Sequence, residues 1–341
     1  MGNFNRNTGK WLAMCALSIF IFSGINSSAA FAAQEKLTKV TFLCITSRAP
    51  ILDAGTFVAQ DKGFYKEEGL DVSFEGGMSA NDNVVLIGQN KGFAASTGVF
   101  STMQARLKGI PVISVGVVTQ SLSSCIVSLE ENPIRKPADL KGKKIAIPPA
   151  SVNETTYKAF MKRQHLDRKD VVELMAAATA PLLIAKKVDC CTSAMYHAPV
   201  LVEVAGLTPV VLNFDDYGMD TYGVNIVVSD DSVKNRPDLV RAFMKATVKG
   251  WEYALQHQKE AEDIILKYNP TADPKYISKG LAGILPKITN KDTEKFGLFH
   301  QTEEKWNLAL DILIDSGEID REIDKKLNVK TCYTNDFLPK K

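Results

Sequence analysis

The sequence predicts an α/β protein of two lobes, each built on a doubly wound sheet, followed by a helical C-terminal tail. Segments with strand and helix patterns alternate through residues 39–118 and again through residues 126–212. Such alternation, with helices of about ten residues, implies parallel strands paired through right-handed crossovers. The chain of 341 residues also exceeds the ~250 to 300 residues at which a single core stops growing, so two lobes are expected.

The first round of alternation supplies four strands and three helices. Short apolar or alternating runs predict strands at 39–45, 71–75, 92–95 and 112–118. Helical periodicity predicts helices at 54–62, 81–90 and 99–108. Gly63 marks the end of the first helix. We expect these elements to form the first part of lobe 1, over residues 33–124.

The second round of alternation follows directly. Strands are predicted at 126–129, 144–147, 171–174 and 210–212. A turn is predicted at 136–140, and helices are predicted from about residue 155 and at 180–186. Because elements of lobe 1 flank this round on both sides, we expect lobe 2 to be an insertion formed by residues 125–222.

From Val224 onward the pattern becomes mainly helical. One strand is predicted at 225–228, and helices fill residues 237–313. Prolines act as helix starts and breakers in this part of the chain: Pro237, Pro270, Pro274 and Pro286. Helices cannot bury their apolar faces alone, so residues 223–341 should complete lobe 1, with the helical tail packed on it.

The N-terminus has the layout of a secretory signal peptide. Arg6 and Lys10 precede an apolar run that is shorter than the ~20 residues of a spanning helix. Small residues follow, and Ala30 and Ala32 form an A-x-A cleavage site. We expect residues 1–32 to be removed by cleavage before Ala33 and the mature protein to be exported to the periplasm.

Charge and cysteine content exclude several classes of protein. Loss of residues 1–32 removes two basic residues and no acidic one, so the formal net charge falls from +2 to zero. Nothing electrostatic then favours nucleic acid or an anionic membrane. The five remaining cysteines are an odd number without metal-ligand spacing, which argues against a disulfide framework, a metal site or a cofactor. Cys190 and Cys191 should pack as small apolar residues at a strand end.

Four segments resemble one family of periplasmic binding proteins, which serves nitrate, taurine, alkanesulfonates and thiamine-pyrimidine precursors. Residues 57–72 are similar to its A-x-x-K-G-[FY]-[FY]-x-x-x-G-L-x-V signature, and residues 134–147 to its I-x-x-P-A-D-L-K-G-K-K-I-A run. The segment from Lys187 to Pro199 resembles G-x-V-D-A … P, although Lys186 and Cys190 depart from it, and residues 235–244 resemble N-P-x-x-V-x-A-F. These motifs are mainly structural, so they indicate the scaffold more than the ligand.

This resemblance implies the type II periplasmic-binding-protein fold, with two sheets joined by two crossover strands near residues 124–126 and 222–224. It also implies a non-enzymatic, monomeric substrate-binding component of an ABC-type importer, whose partners are a small-molecule ligand and a membrane permease. The ligand would lie in the cleft between the lobes, where strand C-termini and helix N-termini meet. The residues expected to bind it are Thr46, Ser47, Arg48, Ser79, Asn81, Ser96, Thr97, Ser124, Ser151, Asn153, Thr155, Tyr196 and Tyr222.

The chemistry of these residues leaves the ligand open. Helix N-termini and Arg48 favour an organic anion such as a sulfonate or an aromatic carboxylate. Tyr196 and Tyr222 could stack on a planar ring, so a thiamine-pyrimidine precursor or another heteroaromatic compound is the alternative. Residues 44–50 contain no aromatic side chain, unlike the matching loop of the relatives that bind thiamine precursors.

Each candidate residue also has a purely structural interpretation. The hydroxyl and amide side chains could simply cap helices, Arg48 could be solvated, and the two tyrosines could pack in the core. Two other functions also remain. One is a pyrimidine-phosphate synthase of the same fold; such enzymes carry a cysteine-rich iron-binding motif, of which Cys190 and Cys191 are at most a fragment. The other is a receptor that docks on a membrane sensor.

Overall fold

The computed structural model describes residues 37–45, 50–76, 79–320 and 327–341. Within these ranges, ten strands form two five-stranded sheets. No helix among them has the length and apolar character that a membrane span needs. The signal peptide predicted at residues 1–32 lies outside the described residues.

The first sheet has the strand order β2-β1-β3-β10-β4. Its strands are β1 (Thr38–Cys44), β2 (Leu70–Gly76), β3 (Ala94–Gly98), β4 (Val112–Val117) and β10 (Val224–Ser229). Every residue of β10 is buried, which fits a central strand of a sheet covered by helices on both faces.

The second sheet has the order β7-β6-β8-β5-β9. Its strands are β5 (Ser124–Leu129), β6 (Lys144–Ile147), β7 (Val172–Met175), β8 (Cys190–Ala194) and β9 (Pro209–Asn213). It forms from a continuous stretch of chain between β4 and β10 of the first sheet. The predicted lobe boundaries at residues 124 and 222 stay predictions.

Both sheets are mixed, although the alternation of strands and helices predicted parallel pairing. β10 runs antiparallel to β3 and β4, and β5 runs antiparallel to β8 and β9. The physical reason is the route of the chain. Each of these two strands enters its sheet from the other sheet, at the edge where the neighbouring strands end: Val224 pairs with Gly98, and Ser124 pairs with Ala194.

Thirteen α-helices connect and cover the strands within the described ranges. They are α1 (Ala54–Asp61), α2 (Phe64–Glu67), α3 (Ala80–Gly88), α4 (Val99–Leu107), α5 (Val152–Arg163), α6 (Thr179–Ile184), α7 (Ala198–Val204), α8 (Asp230–Asn235), α9 (Pro237–Gln256), α10 (Gln258–Tyr268), α11 (Pro274–Ile284), α12 (Lys291–Phe296) and α13 (Glu303–Ser316). As predicted, prolines stand in the first turn of α9 and of α11.

Two glycines allow α1 and α9 to pack backbone against backbone beside the first sheet. A β-carbon on Gly250 would lie 2.1 Å from the carbonyl oxygen of Gly55, and one on Gly55 would lie 2.2 Å from Cγ of Trp251. Trp251 itself is fully buried. The predicted packing of the helical tail on the first sheet therefore depends on the absence of side chains at this crossing.

The last helix, α13, reaches further than the predicted tail. Its Trp306 is fully buried in a cluster that contains Phe100 of α4 and Phe160 of α5. An ion pair between Arg163 Nε and Asp315 Oδ2, 2.8 Å long, also joins α5 to α13. α13 thus packs against helices of both sheets, whereas α9, α10 and α11 share the core of the first sheet.

Candidate ligand-binding site

The two sheets are connected by two short segments that lie side by side. Residues 118–123 lead from β4 to β5, and residues 214–223 lead from β9 to β10. The backbone N–H of Leu122 donates to the carbonyl oxygen of Thr221 at 2.7 Å, and that of Gly223 donates to Thr119 at 3.1 Å. The strand ends of one sheet are therefore held next to the strand ends of the other.

Helix N-termini from both sheets lie at these strand ends. α3 and α4 begin beyond β2 and β3, and α5 begins beyond β6. A β-carbon on Gly98, which precedes α4, would lie 3.9 Å from Cγ2 of Val152 in the first turn of α5. The first N–H groups of a helix have no partner within the helix, so this region offers hydrogen-bond donors to a polar ligand.

A buried acid stands at the end of β1. Asp53 precedes α1 and is 1% exposed, and its Oδ2 accepts a hydrogen bond from the backbone N–H of Ile45 at 3.1 Å. Burial raises the pKa of this carboxyl from 3.8 to about 6, although the bond from Ile45 favours the charged form. Burial and the neighbouring Asp53 also raise the pKa of the Cys44 thiol.

Asn83, on α3, joins the ends of β1 and β3. Its Nδ2 donates to the carbonyl oxygens of Cys44 at 3.0 Å and Ser96 at 2.9 Å. Among the described residues, its Oδ1 is buried without a hydrogen-bond partner. Unpaired buried polar groups are uncommon, so this edge has spare capacity for a hydrogen-bonding ligand or an ordered water.

Two adjoining cavities open beside the same edge. The first, of about 510 Å³, extends from Cys44 past the rings of Phe57, Phe74 and Tyr268. The second, of about 440 Å³, shares Tyr268 and extends to His197. Volumes of this size suit a small molecule. The aromatic lining lies outside the residues that the sequence pattern predicted.

The matching end of the second sheet is held by Ser193. Its hydroxyl accepts a hydrogen bond from the N–H of Ala198 at 3.0 Å, which caps α7, and donates to the carbonyl oxygen of Ala194 at 3.1 Å. The adjacent Thr192 is buried, and its hydroxyl has no partner in the part of the chain that the structure describes. The second sheet therefore also presents a buried polar group without a partner near its strand ends.

The predicted site residues fall into several groups. Thr46, Ser47 and Arg48 lie outside the described residues. Ser79 and Ser151 cap α3 and α5, since their hydroxyls accept from the N–H groups of Asp82 and Glu154, both at 3.2 Å. Their participation in ligand binding stays a prediction.

The remaining hydroxyl and amide candidates occupy strand ends and first helical turns. Thr97 is buried and donates to the carbonyl oxygen of Ala80 at 2.8 Å. Thr155 donates to the carbonyl oxygen of Ser151 and to Glu318, which ties it to the residues after α13. Ser96 and Ser124 are buried, Asn81 is exposed and Asn153 is half-buried.

The two predicted stacking tyrosines are placed differently. Tyr222 is fully buried, its hydroxyl accepts from the N–H of Thr302 at 2.8 Å, and its ring lies edge-on to Trp306. These contacts are those of a core residue and do not favour stacking on a ligand. Tyr196 lies two residues after the end of β8 and is half-buried against α11.

Sequence patterns missed Asp53 and Asn83. Asp53 stands before a predicted helix, where an aspartate normally indicates a solvated cap. Asn83 shares the apolar face of a predicted helix with Val84 and Ile87, and all three are buried. A polar residue on an otherwise apolar helix face was the sequence signal that could have identified Asn83.

The chain matches the family model described as NMT1/THI5 like over residues 53–261. It is 27% identical to the riboflavin-binding protein RibY of Chloroflexus aurantiacus over 318 residues, covering 90% of this chain and 88% of the relative. It is 26% identical to the formylaminopyrimidine-binding protein of Halalkalibacterium halodurans, covering 77% of this chain and 73% of the relative. A 4-amino-5-hydroxymethyl-2-methylpyrimidine phosphate synthase of Legionella pneumophila is 22% identical, with 83% and 87% covered.

Solved structures support the same fold. The periplasmic aliphatic sulphonate binding protein SsuA of Escherichia coli superposes with a TM-score of 0.70 at 15% identity, covering 86% of this chain and 96% of SsuA. At this level of identity the likeness shows the periplasmic-binding-protein fold, which agrees with the predicted fold class. The family match spans more than half of the sequence. The chain therefore belongs to the NMT1/THI5-like family and has a periplasmic-binding-protein fold.

Proposed function

We propose that this protein is the substrate-binding component of an ABC-type importer and captures one small molecule between its two halves outside the cytoplasmic membrane. The observation that carries this proposal is the juxtaposition of strand ends and helix N-termini from two sheets connected by only two short segments. Such an arrangement permits hinge closure around a ligand. The relatives named as binding proteins and the predicted signal peptide support it.

Among ligand classes, a nitrogen heterocycle with an N–H donor fits the described residues better than the organic anion that the sequence favoured. The anion preference depended on Arg48, which lies outside the described residues. The buried Asp53 has neutral partners, the hydroxyl of Ser96, the N–H of Ile45 and the thiol of Cys44, and a carboxyl at this edge repels an anion. The aromatic cavity and the names of the two relatives above favour a heterocycle as well.

A binding role also fits the cysteines better than a synthase role does. Cys190 and Cys191 are adjacent in β8 and pack in the cores on opposite faces of the second sheet. Burial raises the pKa of both thiols, that of Cys191 to about 12. Two buried thiols that point in opposite directions cannot bind one metal ion together, so this pair does not supply the iron-binding motif expected of the synthases.

A thermal-shift experiment on residues 33–341 tests the proposal. Riboflavin, formylaminopyrimidine and an alkanesulfonate are each added to the mature protein. We expect one of the two heterocycles to raise the melting temperature, since a ligand at 100 times its dissociation constant adds about 2.7 kcal/mol of stability. Stabilisation by the sulfonate alone would contradict the ligand class, and steady conversion of a bound compound to product would contradict the binding role.

A further inference from the structure

The two halves also touch outside the connecting segments, through one helix from each half. α7 packs on the second sheet, because Ala198 and Val202 share a core cluster with Cys191. α11 packs on the first sheet, because Ile277 and Leu281 belong to the core of that sheet. α7 and α11 also pack against each other. We call this the α7–α11 contact and define it by Tyr196, His197, Val200 and Glu203 on one side and by Tyr276, Lys279, Gly280 and Gly283 on the other.

Polar groups join the two sides of this contact. Nδ1 of His197 and the hydroxyl of Tyr276 form a hydrogen bond of 2.9 Å, and the two rings meet edge to face at 5.7 Å. Nζ of Lys279 donates to Oε2 of Glu203 at 2.6 Å. His197 and Tyr276 are largely shielded from water, so their bond is not weakened by solvent as a surface pair would be.

Two glycines of α11 face Tyr196 at this contact. A β-carbon on Gly283 would lie 3.5 Å from Cβ of Tyr196, and one on Gly280 would lie 2.9 Å from Cδ1 of Ile51 and 3.5 Å from the carbonyl oxygen of Tyr196. A β-carbon at either position would meet Tyr196 at an ordinary contact distance, so a side chain larger than alanine at Gly283 would press on Tyr196. Val200 of α7 extends the contact into the core of the first sheet.

The α7–α11 contact adjoins the strand ends at which we propose that the ligand binds, which we call the ligand edge. Tyr196 and His197 stand two and three residues after β8 ends at Ala194, and Ser193, which caps α7, is the penultimate residue of that strand. One of the two cavities beside the ligand edge is lined by both His197 and Tyr276. Because α7 belongs to one half and α11 to the other, we expect a rotation about residues 118–123 and 214–223 that separates the strand ends to separate His197 from Tyr276 as well.

We propose that the α7–α11 contact is a latch that forms when the two halves close and that sets how slowly the ligand is released. This inference rests on the proposed function, because it assumes hinge closure around a ligand. Interactions made only in the closed state increase its population, and a ligand that binds the closed state then dissociates more slowly.

Distances between spin labels test the latch without a ligand. Labels at Val85→Cys on α3 and Met175→Cys at the end of β7 report on the separation of the halves, because both side chains are exposed while the five described native cysteines are buried. We expect Tyr276→Phe to shift the ligand-free distance distribution towards longer distances. The matched control, Tyr333→Phe, changes a half-buried tyrosine outside the contact and should leave the distribution unchanged.

Riboflavin release gives the second readout. Loss of one shielded hydrogen bond should raise the dissociation rate about fivefold in Tyr276→Phe, with little change in the association rate. Unchanged distances in Tyr276→Phe and in the bulkier Gly283→Leu would overturn the latch, even if the wild type binds riboflavin. Failure of the wild type to bind riboflavin, formylaminopyrimidine or any sulfonate would instead count against the proposed function. The distances measured without ligand would still show whether the α7–α11 contact acts as a latch.

Discussion

Substitution of Gly250 by alanine is expected to lower the free energy of unfolding by about 3 kcal/mol or more. The added methyl group would lie 2.1 Å from the carbonyl oxygen of Gly55 and 2.9 Å from the backbone nitrogen of Ala59. Both atoms belong to the backbone of α1, so the clash cannot be relieved by a side-chain rotation. α1 and α9 would have to separate, and the separation would open the core around Trp251.

Urea unfolding of the mature protein, followed by circular dichroism, measures this effect. Gly76→Ala is the matched control, because a β-carbon there meets no atom of the described residues within 4 Å and the backbone does not adopt a positive φ angle. Its unfolding free energy should stay within about 0.5 kcal/mol of the wild type. Equal midpoints for Gly250→Ala and Gly76→Ala would show that α1 and α9 do not pack as closely as described.

Asp53→Asn is expected to stabilise the protein at pH 8 by about 3 kcal/mol, the equivalent of a two-unit difference in pKa between the folded and unfolded states. The carboxyl has a pKa of about 6 in the folded protein against 3.8 ordinarily. The folded state therefore binds this proton more tightly than the unfolded state does. Its contribution to stability is fully present below pH 3.8 and is lost as the pH rises through 6.

Asparagine remains neutral at every pH and can still accept the hydrogen bond from the N–H of Ile45. The gain from Asp53→Asn should therefore be large at pH 8, smaller at pH 5 and absent below about pH 4. Urea unfolding at these three pH values measures it, and Asp216→Asn, at an exposed position, serves as the control. A variant that is less stable than the wild type at pH 8 would contradict the assignment of Asp53 as a destabilising buried acid.

The same substitution separates stability from function. If Asp53 accepts an N–H of the ligand, Asp53→Asn should bind a heterocycle less tightly although it unfolds less readily. A destabilising group retained at a binding edge is the pattern expected of a functional residue. Asp53 lies beside Cys44, which lines the aromatic cavity proposed for the ligand.

Local signals in the sequence were sufficient for most of the fold. Strands such as β1 and β4 are apolar runs between turn residues, and prolines mark the starts of α9 and α11. The direction of β5 and β10 could not be predicted from periodicity, because it depends on which sheet the chain is leaving. The contact of α13 with α5 is likewise a tertiary feature.

The candidate site was less predictable from the sequence. Ser79 and Ser151 were recognisable because hydroxyls before helices follow a local rule, and that same rule explains their capping bonds. The burial of Asp53 and Asn83 depends on neighbours that are distant in sequence, such as Ser96. Tyr222 shows the opposite difficulty, since a tyrosine at a predicted crossover does not reveal whether its ring faces a cleft or Trp306.

The most direct test of closure on a ligand is the distance between labels at Val85→Cys and Met175→Cys in the otherwise wild-type protein, with and without the compound that raises its melting temperature. A broad distribution in the ligand-free protein should collapse to a single shorter distance at one equivalent of ligand. A distribution that stays the same while the compound binds would contradict the account, because it would mean that the two halves do not close around what they bind.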